Sequence, residues 1–234
     1  MINLSNKDVI MVVAAHPDDE ILGCGGTINK WTNQGAEAQA LVLGTGMGAR
    51  GDLDKASLDE AIAELRNNAK ASAKIIGYKT VNFENFPDNR LDEVSLLDIV
   101  VKISAYAVVL RPTIVLTHHH GDLNLDHRLV YNAVITAFRP LKGCAVDTIL
   151  SFETPSSTEW NFPYYKNTFS PNVFVNIENN LEAKLRALDC YESEIREAPH
   201  PRSPESIRAI AKRWGSVVNL QYAEAFELIR TSVL

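Results

Sequence analysis

The sequence predicts an α/β fold: a Rossmann-like parallel sheet with helices on both faces and a smaller, irregular C-terminal portion. Two observations predict the sheet. Short β-branched apolar runs alternate with helical stripes through the first 140 residues, the signature of a parallel sheet covered on both faces. Polar clusters rich in His and Asp follow the carboxyl ends of two of those strands. A third observation sets the scale. With 234 residues and 46% hydrophobic content, the chain supports one sizeable core, so residues 1–234 are read as one domain.

DVIMVVAA (8 to 15) is a short apolar run that reads as a buried parallel strand. From Asp19 to Gln34 the pattern is helical, and Gly35 stops it. Gly23, Gly25 and Gly26 weaken that helix and suit it to a close approach to a neighbouring backbone. AEAQALVLGTG (36 to 46) is a second strand entering a Gly-rich loop. Leu58, Ile62, Leu65, Ala69 and Ile76 form a helical stripe ended by Gly77. KTVNFENF (79 to 86) is a third strand, and Leu96 to Leu110 is a helix closed by Arg111-Pro112. PTIVLTH (112 to 118) is the fourth strand, with a helix from Asp126 to Phe138.

DTILSFET (147 to 154) reads as another strand. Residues 156 to 171 are aromatic and turn-rich, the composition of a loop or lid, and NVFVNI (172 to 177) is a short strand. Leu181, Leu185, Leu188 and Ile195 give an apolar helical face. Ser203-Pro204-Glu205 has the cap, the first-turn proline and the acid of a helix start, and that helix is expected to end at Gly215.

Composition excludes several classes. The net charge of −6 comes with no basic block, which argues against nucleic acid as a partner. Cys24, Cys144 and Cys190 are an odd number at wide spacing and suggest no disulfide framework. The N-terminal stretch lacks the basic head and cleavage site of a signal peptide, and its apolar run is too short to span a bilayer. The expectation is a cytoplasmic protein without a membrane partner. Homo-oligomerisation stays open.

The chemistry lies in two motifs. VVAAHPDDEILG (12 to 23) places His16, Asp18, Asp19 and Glu20 where a strand becomes a helix. Carboxylates so close repel one another unless a positive object sits among them. THHHGDLNLDH (117 to 127) follows the fourth strand. In a doubly wound sheet ordered 3-2-1-4-5, the first and fourth strands are neighbours, and ligands bind in the crevice at their carboxyl ends. The obvious positive object is a divalent metal. His16 and Asp19, three apart, can point one way across a turn, and His127 can supply a third ligand. Two imidazoles, one carboxylate and an open position describe a catalytic zinc site, although other divalent transition metals suit the same ligands. Asp18 is then better placed as general base than as a second carboxylate ligand. The alternative is that Asp18 and Asp19 merely cap the helix. Glu20 serves the helix dipole or orients a ligand from behind.

These residues resemble the PIG-L/LmbE-like zinc-dependent N-deacetylases. The resemblance rests on AAHPDDE, on Arg66 and the alanines up to IIGY (75 to 78), on FPDNRLD (86 to 92), on HHHGDLNLDH and on the late HPRSPESIRAIAKRWGS and YAEAF. It implies a Rossmann-like fold, metal ligands His16, Asp19 and His127, and Asp18 as base. It also implies hydrolysis of the acetamide of an N-acetylglucosamine-type sugar or conjugate, a small-molecule partner. Many members carry H-P-D-H in the second motif, with the first His at the oxyanion. Here that position is Asn124, an amide that donates a neutral hydrogen bond but brings no charge.

Alternation along an extended segment prevents His118, His119 and His120 from all lining one site, and His119 or His120 is favoured as the catalytic, pocket-facing one. Asp122 is expected to bind a sugar hydroxyl or orient a ligand His, and Asp126 to hold the tautomer of His127 or cap its helix. Arg50 and Arg66 are expected to contact substrate, and Asn89-Arg90 to approach the cleft. Trp160, Tyr164 and Tyr165 are suited to stack on a sugar face or to pack the lid. Three alternatives stand beside this reading: a deacylase for a non-sugar amide, a non-catalytic sugar- or metal-binding module, and a nucleotide-binding oxidoreductase. The last is weak, because GCGG is not GxGxxG and lies inside the helix.

Overall fold

A computed structural model of the chain describes residues 7–47, 54–162 and 167–232. The first apolar run forms β1 (Val9–Ala14), and the stretch from Asp19 forms α1 (Asp19–Asn33). There follow β2 (Glu37–Gly44), α2 (Lys55–Ile76), β3 (Thr80–Phe86), α3 (Leu96–Leu110), β4 (Ile114–His118) and α4 (Leu125–Ala137). The remainder supplies β5 (Thr148–Phe152), β6 (Val173–Asn176), α5 (Leu181–Asp189), α6 (Pro204–Val217) and β7 (Ala223–Thr231).

Seven strands make one sheet in the order β3-β2-β1-β4-β5-β7-β6. The first five are parallel, and β1 sits between β2 and β4, so the winding reverses at their shared boundary. That is the switch point at which α/β sheets open a crevice. Alternating residues separate two cores. Ile10, Val12, Leu116 and Phe152 pack toward α1, α2, α5 and α6, whereas Met11, Val13, Val115 and Ile149 pack toward α3 and α4.

Local signals set several ends. Gly77 closes α2 with φ 95°, a left-handed cap that L side chains rarely adopt. Ser203 caps α6 by accepting from the backbone N–H of Ser206, and Pro204 opens its first turn. Losing such a cap costs about 1 kcal/mol.

Four differences from the sequence reading are informative. The sheet is mixed, because β7 pairs antiparallel with both β5 and β6. That strand was not expected: in AEAFELIRT charged residues interrupt the apolar alternation, and Glu224 turns out to be a buried partner. The helix expected to reach Ile195 stops at Asp189. α6 continues through Gly215, where a Cβ would meet Leu220 O at 2.6 Å as the chain folds back. Gly23 does permit a close approach, but to a ring rather than a backbone: a Cβ there would lie 2.1 Å from Phe152 on β5.

A buried ion pair ties the late elements to α1. Lys184 Nζ of α5 donates to Glu224 of β7 at 2.6 Å and to Leu22 O at 2.8 Å. Glu224 also accepts from the N–H groups of Gly26 and Thr27. Removing one partner leaves a buried uncompensated charge, at a cost of about 3–5 kcal/mol. Among the described residues no helix is long and apolar enough to cross a membrane.

Candidate active site

The chain leaves β1 through His16 and Pro17 and turns at Asp18, whose φ is 102°. A non-glycine residue held there costs about 1–3 kcal/mol and persists only when its surroundings fix it. Here the fixing group is Glu20. Its carboxylate accepts from Asp18 N at 3.0 Å and from the Tyr191 hydroxyl at 2.6 Å. Burial pushes the Glu20 carboxyl up to about 7, against the Tyr191 bond, which lowers it.

The turn delivers Asp19 to the switch point. Ligating atoms of His16, Asp19 and His127 all lie within 4.8 Å of one another. Asp19 Oδ2 is 3.5 Å from His16 Nδ1 and 3.4 Å from His127 Nε2. The other Asp19 oxygen is buried and has no hydrogen-bond partner among the described residues. Each imidazole shows its second nitrogen to another acid. His16 Nε2 lies 3.0 Å from both Asp126 Oδ2 and Asp88 Oδ1, and His127 Nδ1 lies 3.2 Å from Asp122 Oδ1. Carboxylates behind imidazoles in this way fix the tautomer and orientation of metal-binding histidines. The orphaned oxygen and the two backed imidazoles fit a divalent ion held by three protein donors.

The electrostatics separate the adjacent aspartates. Burial would raise the Asp19 carboxyl, but the neighbouring imidazoles of His127, His118 and His16 together outweigh it and hold the group well below the usual range. His127 is itself raised to about 9, because Asp19 and Asp122 overcome its burial. Asp18 goes the other way. Burial lifts it to about 7, Asp19 and Glu20 add to the lift, and Arg202 opposes them. Arg202 Nη1 donates to Asp18 Oδ2 at 2.8 Å, and its Nε donates to Ser156 Oγ at 2.8 Å.

Several residues stand elsewhere than expected. Of the three consecutive histidines, His118 faces this cluster: it stacks on His127 with centroids 3.9 Å apart. Its Nε2 accepts from Ala15 N at 2.9 Å and its Nδ1 bonds Thr154, so it is a neutral support, lowered to about 3 mainly by burial. His119 and His120 point away. His119 bonds Glu227 and Asn167 O, and His120 packs on Tyr131. Asn124 caps α4, accepting from Asp126 N at 2.8 Å, and its amide donates to Asn89. Asp126 backs His16 rather than His127, and its second oxygen accepts from Leu91 N. Asp122 is fully buried and tied to Ser157, Thr158 and Asn124 N, which places it behind His127 rather than open to a sugar. Glu20 orients the Asp18 backbone and not a ligand.

Arg66 binds the end of β3, through Glu84 O and Asn85, and lies over Phe83. Arg90 pairs with exposed Glu93. Trp160 packs edge-on to His200. Arg50, Tyr164 and Tyr165 lie outside the described residues. Sequence reasoning missed Arg202, Tyr191, Asp88 and the orientation of His118. Arg202 stood in view within HPRSPE, but nothing in its spacing ties it to Asp18, 184 positions earlier.

Comparison with known families adds a decisive observation. The family described as PIG-L, GlcNAc-PI de-N-acetylase, matches residues 11–138, more than half of the chain. The chain belongs to the PIG-L family. Its relatives include an uncharacterized deacetylase, YaiS, of Escherichia coli K12, 32% identical over 79% of this chain and 90% of that protein. Diacetylchitobiose deacetylase of Thermococcus kodakarensis is 28% identical over 94% of this chain and 82% of its own. The inhibitor-bound N,N'-diacetylchitobiose deacetylase of Pyrococcus horikoshii superposes with a TM-score of 0.76, covering 98% of this chain and 88% of that one at 22% identity. At that identity the superposition speaks for the fold alone. The PIG-L match spans both motifs, so the family resemblance and the convergence of His16, Asp19 and His127 concern the same residues.

Proposed function

We propose that this protein is a divalent-metal-dependent N-deacetylase that hydrolyses the acetamide of an N-acetylglucosamine-type sugar or sugar conjugate. The single observation that carries the reading is the pairing of two unlike aspartates. Asp19 lies between two imidazoles, and next to it Asp18 is buried outside that set, with its carboxylate held by Arg202. A binding module gains nothing from the second group, whereas a general base works best with a pKa near the operating pH. The deacetylase relatives support the reaction class, and the diacetylchitobiose deacetylase supports a sugar substrate.

His16, Asp19 and His127 would hold the ion, with zinc the first choice for two imidazoles and a carboxylate. When bound, the ion supplies positive charge that makes a nearby water acidic near neutral pH and polarises the substrate carbonyl. Asp18 removes the water's proton as the water attacks the amide carbon. Protonated Asp18 then returns that proton to the departing amine, giving a free amino sugar and acetate. Arg202 works against burial to keep part of Asp18 ionised and holds its carboxylate in place. Glu20 and Tyr191 fix the backbone turn that presents it. Asp126, Asp88 and Asp122 orient the two imidazoles.

Acetate release from N,N'-diacetylchitobiose, nucleotide N-acetyl sugars, N-acyl amino acids and acylated thiols tests the substrate class. Release from the sugars, abolished by a chelator and restored by zinc, is the expected outcome. Release from the acyl amino acids or thiols alone would replace the sugar with another amide, and zinc binding with no hydrolysis on the whole panel would overturn the enzyme reading.

A further inference from the structure

The histidines that turn away from the first cluster form a second one. β4 and β5 pair His118 with Phe152 and Thr117 with Ser151; β5 and β7 pair Phe152 with Phe226 and Ser151 with Glu227. His118 thus shares the face of Phe152 and Phe226, toward α1. Thr117, Ser151 and Glu227 occupy the opposite face, toward α4, and His119 turns to that side. There, ligating atoms of His119, His120 and Glu227 lie within 4.8 Å of one another. His119 is buried, while His120 and Glu227 are partly open, so an ion can enter from solvent.

The hydrogen bonds of His119 are the second observation. Nδ1 lies 2.8 Å from Glu227 Oε2, and Nε2 lies 2.8 Å from the carbonyl of Asn167. Both partners only accept, so the ring here carries two protons. The Nε2–H bond to a backbone carbonyl is the orienting bond that metal-bound histidines make with their free nitrogen. The Nδ1 proton therefore sits where a cation would sit.

We propose that His119 Nδ1, His120 and Glu227 form a second divalent-metal site, distinct from His16, Asp19 and His127 and on the other face of the sheet. The ligand class is a borderline ion such as zinc, which suits two imidazoles and a carboxylate. On binding, the ion takes the Nδ1 lone pair and that proton passes to solvent. No other bond forms or breaks except coordination to His120 and Glu227. An ion here clasps β7 to the 119–122 loop, which carries Asp122, and to the segment near Asn167 and Ser170, whose N–H already binds Glu227.

Zinc titration by calorimetry and direct metal analysis on the wild-type chain, Asp19→Ala, His120→Ala and Glu227→Gln tests the proposal. Roughly two equivalents are expected for the wild type and roughly one for each variant. Binding to Asp19→Ala should release a proton, seen as a buffer-dependent enthalpy. Circular dichroism confirms that each variant is folded. A wild-type equivalent that is lost in Asp19→Ala but kept in both His120→Ala and Glu227→Gln, with no further ion bound, overturns the second site. The proposed deacetylase activity stands or falls separately, with Asp19→Ala and acetate release.

Discussion

The two histidine clusters at the end of β4 use the same residue types but are wired differently. In the first, the imidazoles of His16 and His127 both look at Asp19, and fresh carboxylates stand behind each of them. In the second, His119 faces its carboxylate directly, and a backbone carbonyl stands behind it. The first cluster also has Asp18, a buried acid beside the proposed ion position and outside the proposed ligand set. The second has none among the described residues; its ring neighbours there are Tyr131 and Phe169. On the proposed reading, ligand identity decides whether an ion binds at either cluster, while the spare buried acid decides whether binding leads to hydrolysis.

The largest effect is expected from Asp19→Ala. It removes the carboxylate that both imidazoles share, so acetate release should fall to background, and metal analysis should find the first site empty with the second intact. Asp122→Asn comes next. It keeps the shape but removes the charge behind His127, and metal affinity at the first site should drop about 10–100-fold. Competition with a chelator reads that change; unaltered affinity would mean that Asp122 only packs.

Arg202→Gln should act more gently, and on turnover rather than metal. Without the guanidinium, the largest charge opposing the burial of Asp18 is gone, so its carboxyl rises further above about 7. Less of it is ionised at neutral pH, and turnover falls about tenfold for each unit of rise. The kcat profile should shift to higher pH, and Arg202→Lys should restore part of it. A flat profile shift would reduce Arg202 to a structural role.

The smallest effect belongs to the second cluster. Burial would lower His119, but its bonds to Glu227 and Asn167 O raise it above its ordinary value; burial would raise Glu227, but the bonds from His119 and the Ser170 N–H and the nearby imidazole charge together lower it. The His119 contribution to stability is fully present below its unfolded pKa of about 6.5 and is lost as pH rises through the raised folded value. The Glu227 contribution is present above its own ordinary value and is lost as pH falls. Glu227→Gln should therefore cost about 1 kcal/mol near pH 6 and less in alkali, as read by urea unfolding across pH.

Much of this was legible in the chain, for physical reasons. Parallel strands buried on both faces leave unbroken apolar runs, so β1 and β4 and the switch point between them could be read from VIMVVA and IVLTH. The convergence of His16, Asp19 and His127 follows from that topology. β7 was not legible, because Glu224 and Glu227 interrupt its apolar pattern to serve partners far away in sequence. The phase of the triple histidine was not legible either. Alternation says that neighbours oppose each other, but only the register of Thr117 against Ser151 says which way His118 points. Arg202 was hidden because ion pairs across a fold leave no periodicity.

Asp18→Asn tests the central claim most directly, with metal content and acetate release from N,N'-diacetylchitobiose measured on the same preparation. The expected result is a full complement of metal and a loss of turnover of at least about a hundredfold. Undiminished turnover with the metal in place would contradict it, because the proton would then be leaving the water by another route.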